Sequence, residues 1–255
     1  MSAVCLVPFT KLSRRRFPRD RSSWAVMIFL GLAMVGAGYG LQFWGEEYVP
    51  SGLAAVLYAT LPLFVVIFAH IVIEDEKITR GKALGIVVSF VGTLVVFWRD
   101  LMPVFGSDIQ LSIVGGLTEV ASAVVTALAI VVYKRFYTEI DRVVNLLVQT
   151  LIGAAFLLIL GAALERSSVF DFTPLAIVVL IYLALTATLP LVGYYWLLEK
   201  TSAINVSMIT FITPILALIL GWVLLSEPVT VYTMLGGTLI LTGVYLTVRV
   251  VGPTR

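Results

Sequence analysis

Apolar residues along this chain come in long, nearly unbroken runs with short polar stretches between them. The runs fall at about 24–44, 52–73, 81–98, 111–133, 144–163, 174–198, 203–225 and 231–249. They are separated by GEEYVPS, EDEKITR, the stretch from Arg99 to Gln110, KRFYTEIDR, ERSSVFDF, EKTS and SEPVT. A helix needs roughly 20 apolar residues to cross the hydrocarbon core of a bilayer, and each run comes close to that length. None shows the polar–apolar alternation of a membrane barrel strand. The pattern therefore predicts helices that span a membrane, since a helix satisfies its own backbone polar groups in lipid.

Composition agrees with this reading. Of 255 residues, 60% are hydrophobic and 13% charged, and the mean hydropathy is +1.05. Soluble domains carry about a quarter charged residues, so a water-soluble enzyme is excluded and the bilayer is the expected surrounding. A net charge of +2 is too small to point to nucleic acid. One cysteine, Cys5, and one histidine, His70, exclude a disulfide framework and a Cys/His metal cage. The glycines lack the strand–turn–helix setting of a dinucleotide site, so no cofactor is expected. An intramembrane enzyme lacks support too: there is no H-E-x-x-H, no pair of intramembrane carboxylates and no Ser/His couple.

Charge sets the expected orientation. Lys11, Arg14, Arg15, Arg16, Arg19 and Arg21 precede the first full run, and Lys77, Arg80 and Lys82 follow the second. Lys134, Arg135 and Arg142 follow the fourth, Lys200 the sixth, and Arg249 and Arg255 the eighth. Of the 17 basic residues only Arg99 and Arg166 fall on the alternate loops. The positive-inside rule then puts both termini in the cytoplasm of a multi-pass protein of the inner, or plasma, membrane. The opening MSAVCLVPF is apolar for nine residues and is followed, not preceded, by basic residues. It therefore reads as the end of a preceding helix and not as a signal peptide.

The chain also repeats itself. Trp44 and Pro62 are 18 residues apart, as are Trp196 and Pro214; Glu47 and Glu199 each follow their tryptophan by three. Glu76 precedes Thr79 by three residues, as Glu227 precedes Thr230, and glycines seven apart follow in each copy: Gly85 and Gly92, then Gly236 and Gly243. Five runs separate corresponding helices, and an odd number inverts the second copy. Inverted repeats are a recurrent plan of secondary transporters.

In these motifs the chain resembles the EamA domain of the drug/metabolite transporter superfamily. The resemblance implies an all-α integral membrane protein, about eight helices of a ten-helix, five-plus-five inverted bundle. Residues 1–98 would form an incomplete first repeat (the end of helix 2, then helices 3–5), and residues 111–249 a complete second one (helices 6–10). It further implies export or exchange of a small metabolite through a central cavity by alternating access. The rival reading is a truncated remnant or structural membrane subunit that transports nothing. A small-molecule substrate, the bilayer and a second copy of the chain are the partners to expect.

Individual residues sharpen the expectation. Glu119 is the one acid well inside a run, eight residues past Leu111, with Ser122 and Thr126 on its face of the helix. A carboxylate at that depth is costly unless it meets water, a partner or a proton, so it either lines a cavity or, if the helix starts at Gly115 or Gly116, sits in the headgroups. Gln42, and Asn145 with Gln149 four residues on, are polar groups that belong inside a bundle. Tyr39, Tyr195 and Trp196 line the cavity or sit in the aromatic belt. Pro62 and Pro214 are hinges or packing kinks. Glu76 and Glu227 are read with Thr79 and Thr230 as helix-start residues, and His70 as an interfacial side chain. Gly36/Gly40 and Gly81/Gly85 are read as helix-packing faces.

Overall fold

The computed structural model describes residues 17–49, 51–98, 109–136, 140–164, 173–225 and 230–249. The opening apolar stretch with Cys5, and Glu227, lie outside these residues. Every regular element among the described residues is a helix. In chain order they are α1 (Arg21–Glu46), α2 (Ser51–Tyr58), α3 (Leu61–Val72), α4 (Arg80–Val96) and α5 (Ile109–Phe136). Then come α6 (Arg142–Leu164), α7 (Pro174–Lys200), α8 (Ala203–Ser207), α9 (Ile209–Leu225) and α10 (Val231–Arg249). Among the described residues, five stretches are long and apolar enough to cross a membrane: Arg21–Glu46, Ser51–Val72, Ile113–Phe136, Arg142–Leu164 and Val231–Arg249. Their outward faces are bare hydrocarbon. Ile71, Leu158, Ile159 and Leu164 are each more than 70% exposed, an arrangement that lipid favours and water does not.

Short polar side chains start these helices. Asp20 accepts the Ser23 amide at 2.6 Å and Asp141 those of Val143 and Val144 at 2.9 and 3.3 Å. Thr173 does the same for Ala176 at 3.2 Å, with Pro174 in the first turn, where its missing N–H is no loss. The Ser23 amide holds the Asp20 carboxyl below its ordinary value. That cap is therefore at full strength above the usual carboxylate range and is lost as pH falls through the lowered value. Thr79 takes the Lys82 amide at 3.3 Å and Thr230 the Thr233 amide at 3.2 Å, so α4 and α10 begin alike. Thr79→Ala and Thr230→Ala are each expected to cost about 1 kcal/mol, read as a lower unfolding midpoint in detergent. An unchanged midpoint for both would remove the caps from the account of stability. His70 is exposed, and its Nδ1 accepts the Ile78 amide at 3.4 Å.

The chain divides into two compact units, one of Met1–Gly40 with Val132–Thr201 and one of Leu41–Val131 with Ser202–Arg255. In the first, α1 is π-wound over Gly31–Tyr39 and lies against α6. Gly31 faces the backbone of Gln149, Gly153 the side chain of Val35, and Gly36 the ring of Phe156. Met27, Ile140, Val144 and Val148 form the apolar cluster beside this contact. In the second unit, α4 and α10 approach through bare glycines: Gly85 meets Gly243, and Gly92 meets Gly236. Small residues let helix backbones come this close where no hydrophobic drive between helices exists. Ser89 lies between the two glycines of α4 and donates to the Ile240 carbonyl at 3.2 Å.

The two prolines behave differently from one another. Pro62 does not kink a continuous helix. The chain breaks at Ala59 and Thr60, and Pro62 stands in the first turn of α3, where proline is best tolerated. The Thr60 hydroxyl donates to the Leu57 carbonyl at 2.6 Å across the break. Pro214 lies inside α9, and the break in that stretch comes earlier, at Met208, between α8 and α9.

Candidate functional site

Polar side chains are buried in each unit, and each group is built by few helices. In the first unit the group is made by α1, α5, α6 and α7. Asn145 and Gln149 lie one turn apart on α6 and are wholly buried. Tyr195 of α7, also buried, donates its hydroxyl to Gln149 Oε1 at 2.7 Å and lies 3.2 Å from Met34 Sδ of α1. Asn145 Nδ2 approaches the same Gln149 oxygen at 3.4 Å. The Tyr195 ring stands edge-on to Tyr133 with centroids 4.3 Å apart. Tyr133 in turn donates to Glu199 Oε1 at 3.1 Å, and Glu199 is ion-paired with Arg142. A polar chain thus runs from the start of α6 and the end of α7 to two buried amides. Asn145 Oδ1 and Gln149 Nε2 have no hydrogen-bond partner among the described residues.

In the second unit the group is centred on one carboxylate. Helix α5 is formed from Ile109, ahead of Gly115, so Glu119 lies ten residues inside it, about 15 Å along the axis. Glu119 is wholly buried, and neither of its oxygens has a hydrogen-bond partner among the described residues. Ser122 and Thr126, on the same face, are buried as well. Gly45 of α1 makes the room: a Cβ there would stand 2.6 Å from Thr118 Oγ1 and 3.0 Å from Glu119 Oε1. Gly115 does likewise for Tyr48 and the Gly45 carbonyl. An isolated ionised carboxylate is very costly in apolar surroundings, so a proton, a cation or an amine is what completes this arrangement.

Of the other expected residues, Tyr39 lies within electrostatic reach of Tyr195, while Gln42 and Trp196 lie elsewhere. Gln42 is half-buried and donates to the exposed Glu46 at 3.1 Å, one turn on along α1. Tyr39 is half-buried in the first unit. Trp196 is 46% exposed although Tyr195, its neighbour, is buried, because successive helical residues point about 100° apart. It is therefore not among the residues brought together. Of this network sequence reasoning named Asn145, Gln149 and Tyr195, noted Glu199 only for its match to Glu47, and missed Tyr133, Arg142 and Met34 as site residues.

It also misassigned Glu76. Thr79 caps the helix that follows, while the Glu76 carboxylate, 4% exposed, accepts the amides of Ala203 and Ile204 at 2.7 and 3.2 Å. It caps α8, 127 residues on, together with Ser202, which takes the Asn205 amide at 3.1 Å.

Comparison with known proteins follows the same lines. The profile of the EamA-like transporter family matches residues 1–98 and 113–249. The chain is 28% identical over 248 residues to the uncharacterized transporter YoaV of Bacillus subtilis, covering 96% of this chain and 83% of that protein. It is 30% identical over 206 residues to an uncharacterized transporter of Archaeoglobus fulgidus, covering 80% and 70%. A solved crystal structure superposes with a TM-score of 0.77 at 15% identity, over 98% of this chain and 84% of that one, which shows a shared fold.

Proposed function

We infer, on the premise that the chain belongs to the EamA-like transporter family and is a multi-pass membrane transporter, that it exports or exchanges a small metabolite by alternating access. The observation that carries the reading is the exchange of partners between α4 and α10. Gly85 corresponds to Gly236 in the sequence repeat and Gly92 to Gly243, yet Gly85 meets Gly243 and Gly92 meets Gly236. Swapping the two copies leaves this pair of contacts unchanged, as a two-fold axis across antiparallel helices requires. Such an axis in the membrane plane relates the halves of inverted-repeat transporters, whose rocking opens one midplane site to either side in turn. The matching threonine caps and the breaks in both proline-bearing stretches support the same reading.

On this reading both termini face the cytoplasm of the plasma membrane, as the distribution of Lys and Arg favours. Glu119 carries the coupling proton or holds an amine-bearing solute. The test compares metabolites in the medium and in cells that overproduce the chain or its Glu119→Gln form. At least one small metabolite should shift outward with the parent and not with the variant. Identical profiles for both would sink the reading. Single cysteines at Arg80 and Arg135 should label only from the cytoplasm, and one at Ser51 only from outside. Cytoplasmic labelling at Ser51 would remove the inverted orientation.

A further inference from the structure

We propose that Asn145 and Gln149 are the solute-recognition pair of the first unit. The pair selects uncharged solutes that present a hydrogen-bond donor beside an acceptor: carboxamides, ureas or ring lactams. The proposal rests on the transporter reading, with Glu119 as the proton carrier and not the seat of an amine, and adds the chemical class of the solute.

Two amides one turn apart on α6 could satisfy each other or be replaced by leucines without loss of helix. Here they satisfy each other only in part. Gln149 Oε1 takes two donors, the Tyr195 hydroxyl at 2.7 Å and Asn145 Nδ2 at 3.4 Å. In this orientation each amide keeps one group unused. It leaves the Gln149 NH2 as a donor and the Asn145 carbonyl as an acceptor, both wholly buried and without a partner among the described residues. Buried amide groups are normally paired, and an unpaired one in a native fold calls for a reason. A solute offering one acceptor and one donor supplies both at once.

The support behind the pair fits a binding role better than a packing role. Tyr195 holds Gln149 and is itself held by Tyr133, whose hydroxyl is tied to Glu199. The charges in this chain, Glu199 and Arg142, are paired with each other, so they offer no counter-charge to a solute. A carboxylate or ammonium solute would bring a charge into a buried place that has nothing to match it. An uncharged amide would not. A site built to hydrogen-bond both groups also rejects analogues that lack one of them, because its own polar atoms are then left bare.

The experiment uses the full chain purified in nanodiscs. Binding is read by thermal shift and by equilibrium dialysis with nicotinamide, uracil and urea, each at matched concentration against nicotinate and benzoate. At least one of the three neutral probes should bind, and neither carboxylate should. Gln149→Glu keeps the side-chain shape and the acceptor for Tyr195 but removes the free donor; it should weaken that binding by about tenfold or more. Asn145→Leu, which removes the free acceptor, should do the same. The melting curve of Gln149→Glu without probe reports whether it is folded, so a loss of binding is not mistaken for unfolding. Binding of no neutral probe, binding of the carboxylates instead, or parental affinity in both variants overturns the proposal. Neutral-probe binding without any flux would sink the transporter reading and leave this inference standing. Flux of a charged metabolite without neutral-probe binding would do the reverse.

Discussion

Glu119→Gln is expected to abolish transport while leaving the amount of folded protein in the membrane unchanged. Glutamine matches glutamate in size, and the space beside Gly45 that admits one admits the other. What the substitution removes is the ability to take up a proton or to balance a positive charge. If Glu119 only filled space, the neutral side chain would be the cheaper occupant of a wholly buried position, and flux would be unchanged. The measurement is flux across a pH series, with membrane yield followed in parallel by size-exclusion of the solubilised protein. A fully active variant with the parental pH profile would take Glu119 out of the mechanism. Gly45→Ala tests the same place from the other side, because its Cβ would crowd Thr118 and the carboxylate together. It should reduce flux without abolishing it.

A large effect on stability is expected at Gly236, and the adjacent glycine supplies its control. A Cβ on Gly236 would stand 2.6 Å from the Gly92 carbonyl oxygen and 2.8 Å from the Val96 amide nitrogen. These are backbone atoms, so α4 and α10 must separate along their length to admit a methyl group. Overpacking of this kind costs roughly 1–3 kcal/mol and at times more. The cost falls on a contact that lipid does little else to hold together. Around Gly237 nothing lies within 4 Å, and alanine there should gain up to about 1 kcal/mol from helix propensity. Gly236→Ala is therefore expected to lower the unfolding midpoint in detergent sharply, and Gly237→Ala to hold or raise it. Equal midpoints for the two would show that the glycine contact contributes nothing.

Much of this arrangement could be read along the chain, and the reasons are local. Lipid admits few polar residues, so the helical stretches show as apolar runs. Threonine before a helix shows as a cap because its partner is three residues away. Asn145 and Gln149 share a face because four residues make about one turn. What could not be read depends on distant partners. Tyr133, Arg142 and Glu199 meet across 57 to 66 residues, and no periodicity marks such a meeting. The same holds for Glu76, whose neighbours in sequence suggest a role at its own helix. Tyr195 and Trp196 are both large aromatics in the same stretch, and only the packing of α6 against α7 decides which is buried. The break at Met208 was not legible either, because the nearest helix-breaking residue, Pro214, sits beyond it inside α9.

The cap that Glu76 provides sets an order of events in the making of the molecule. Its partners, the amides of Ala203 and Ile204, are synthesised 127 residues later, which at about 5–20 residues per second is a delay of roughly 6–25 s. The glycine face of α4 waits longer still, since Ser89 and Ile240 are 151 residues apart. Throughout that interval the nascent chain holds an unmatched carboxylate and a stripe of bare backbone at one end of the same helix hairpin. Both are matched only when α8 and α10 arrive, so the early helices enter the bilayer before the contacts that fix them exist. A pause in translation between residues 96 and 203 would prolong that state, and with it the time in which a foreign helix can occupy the place meant for α10.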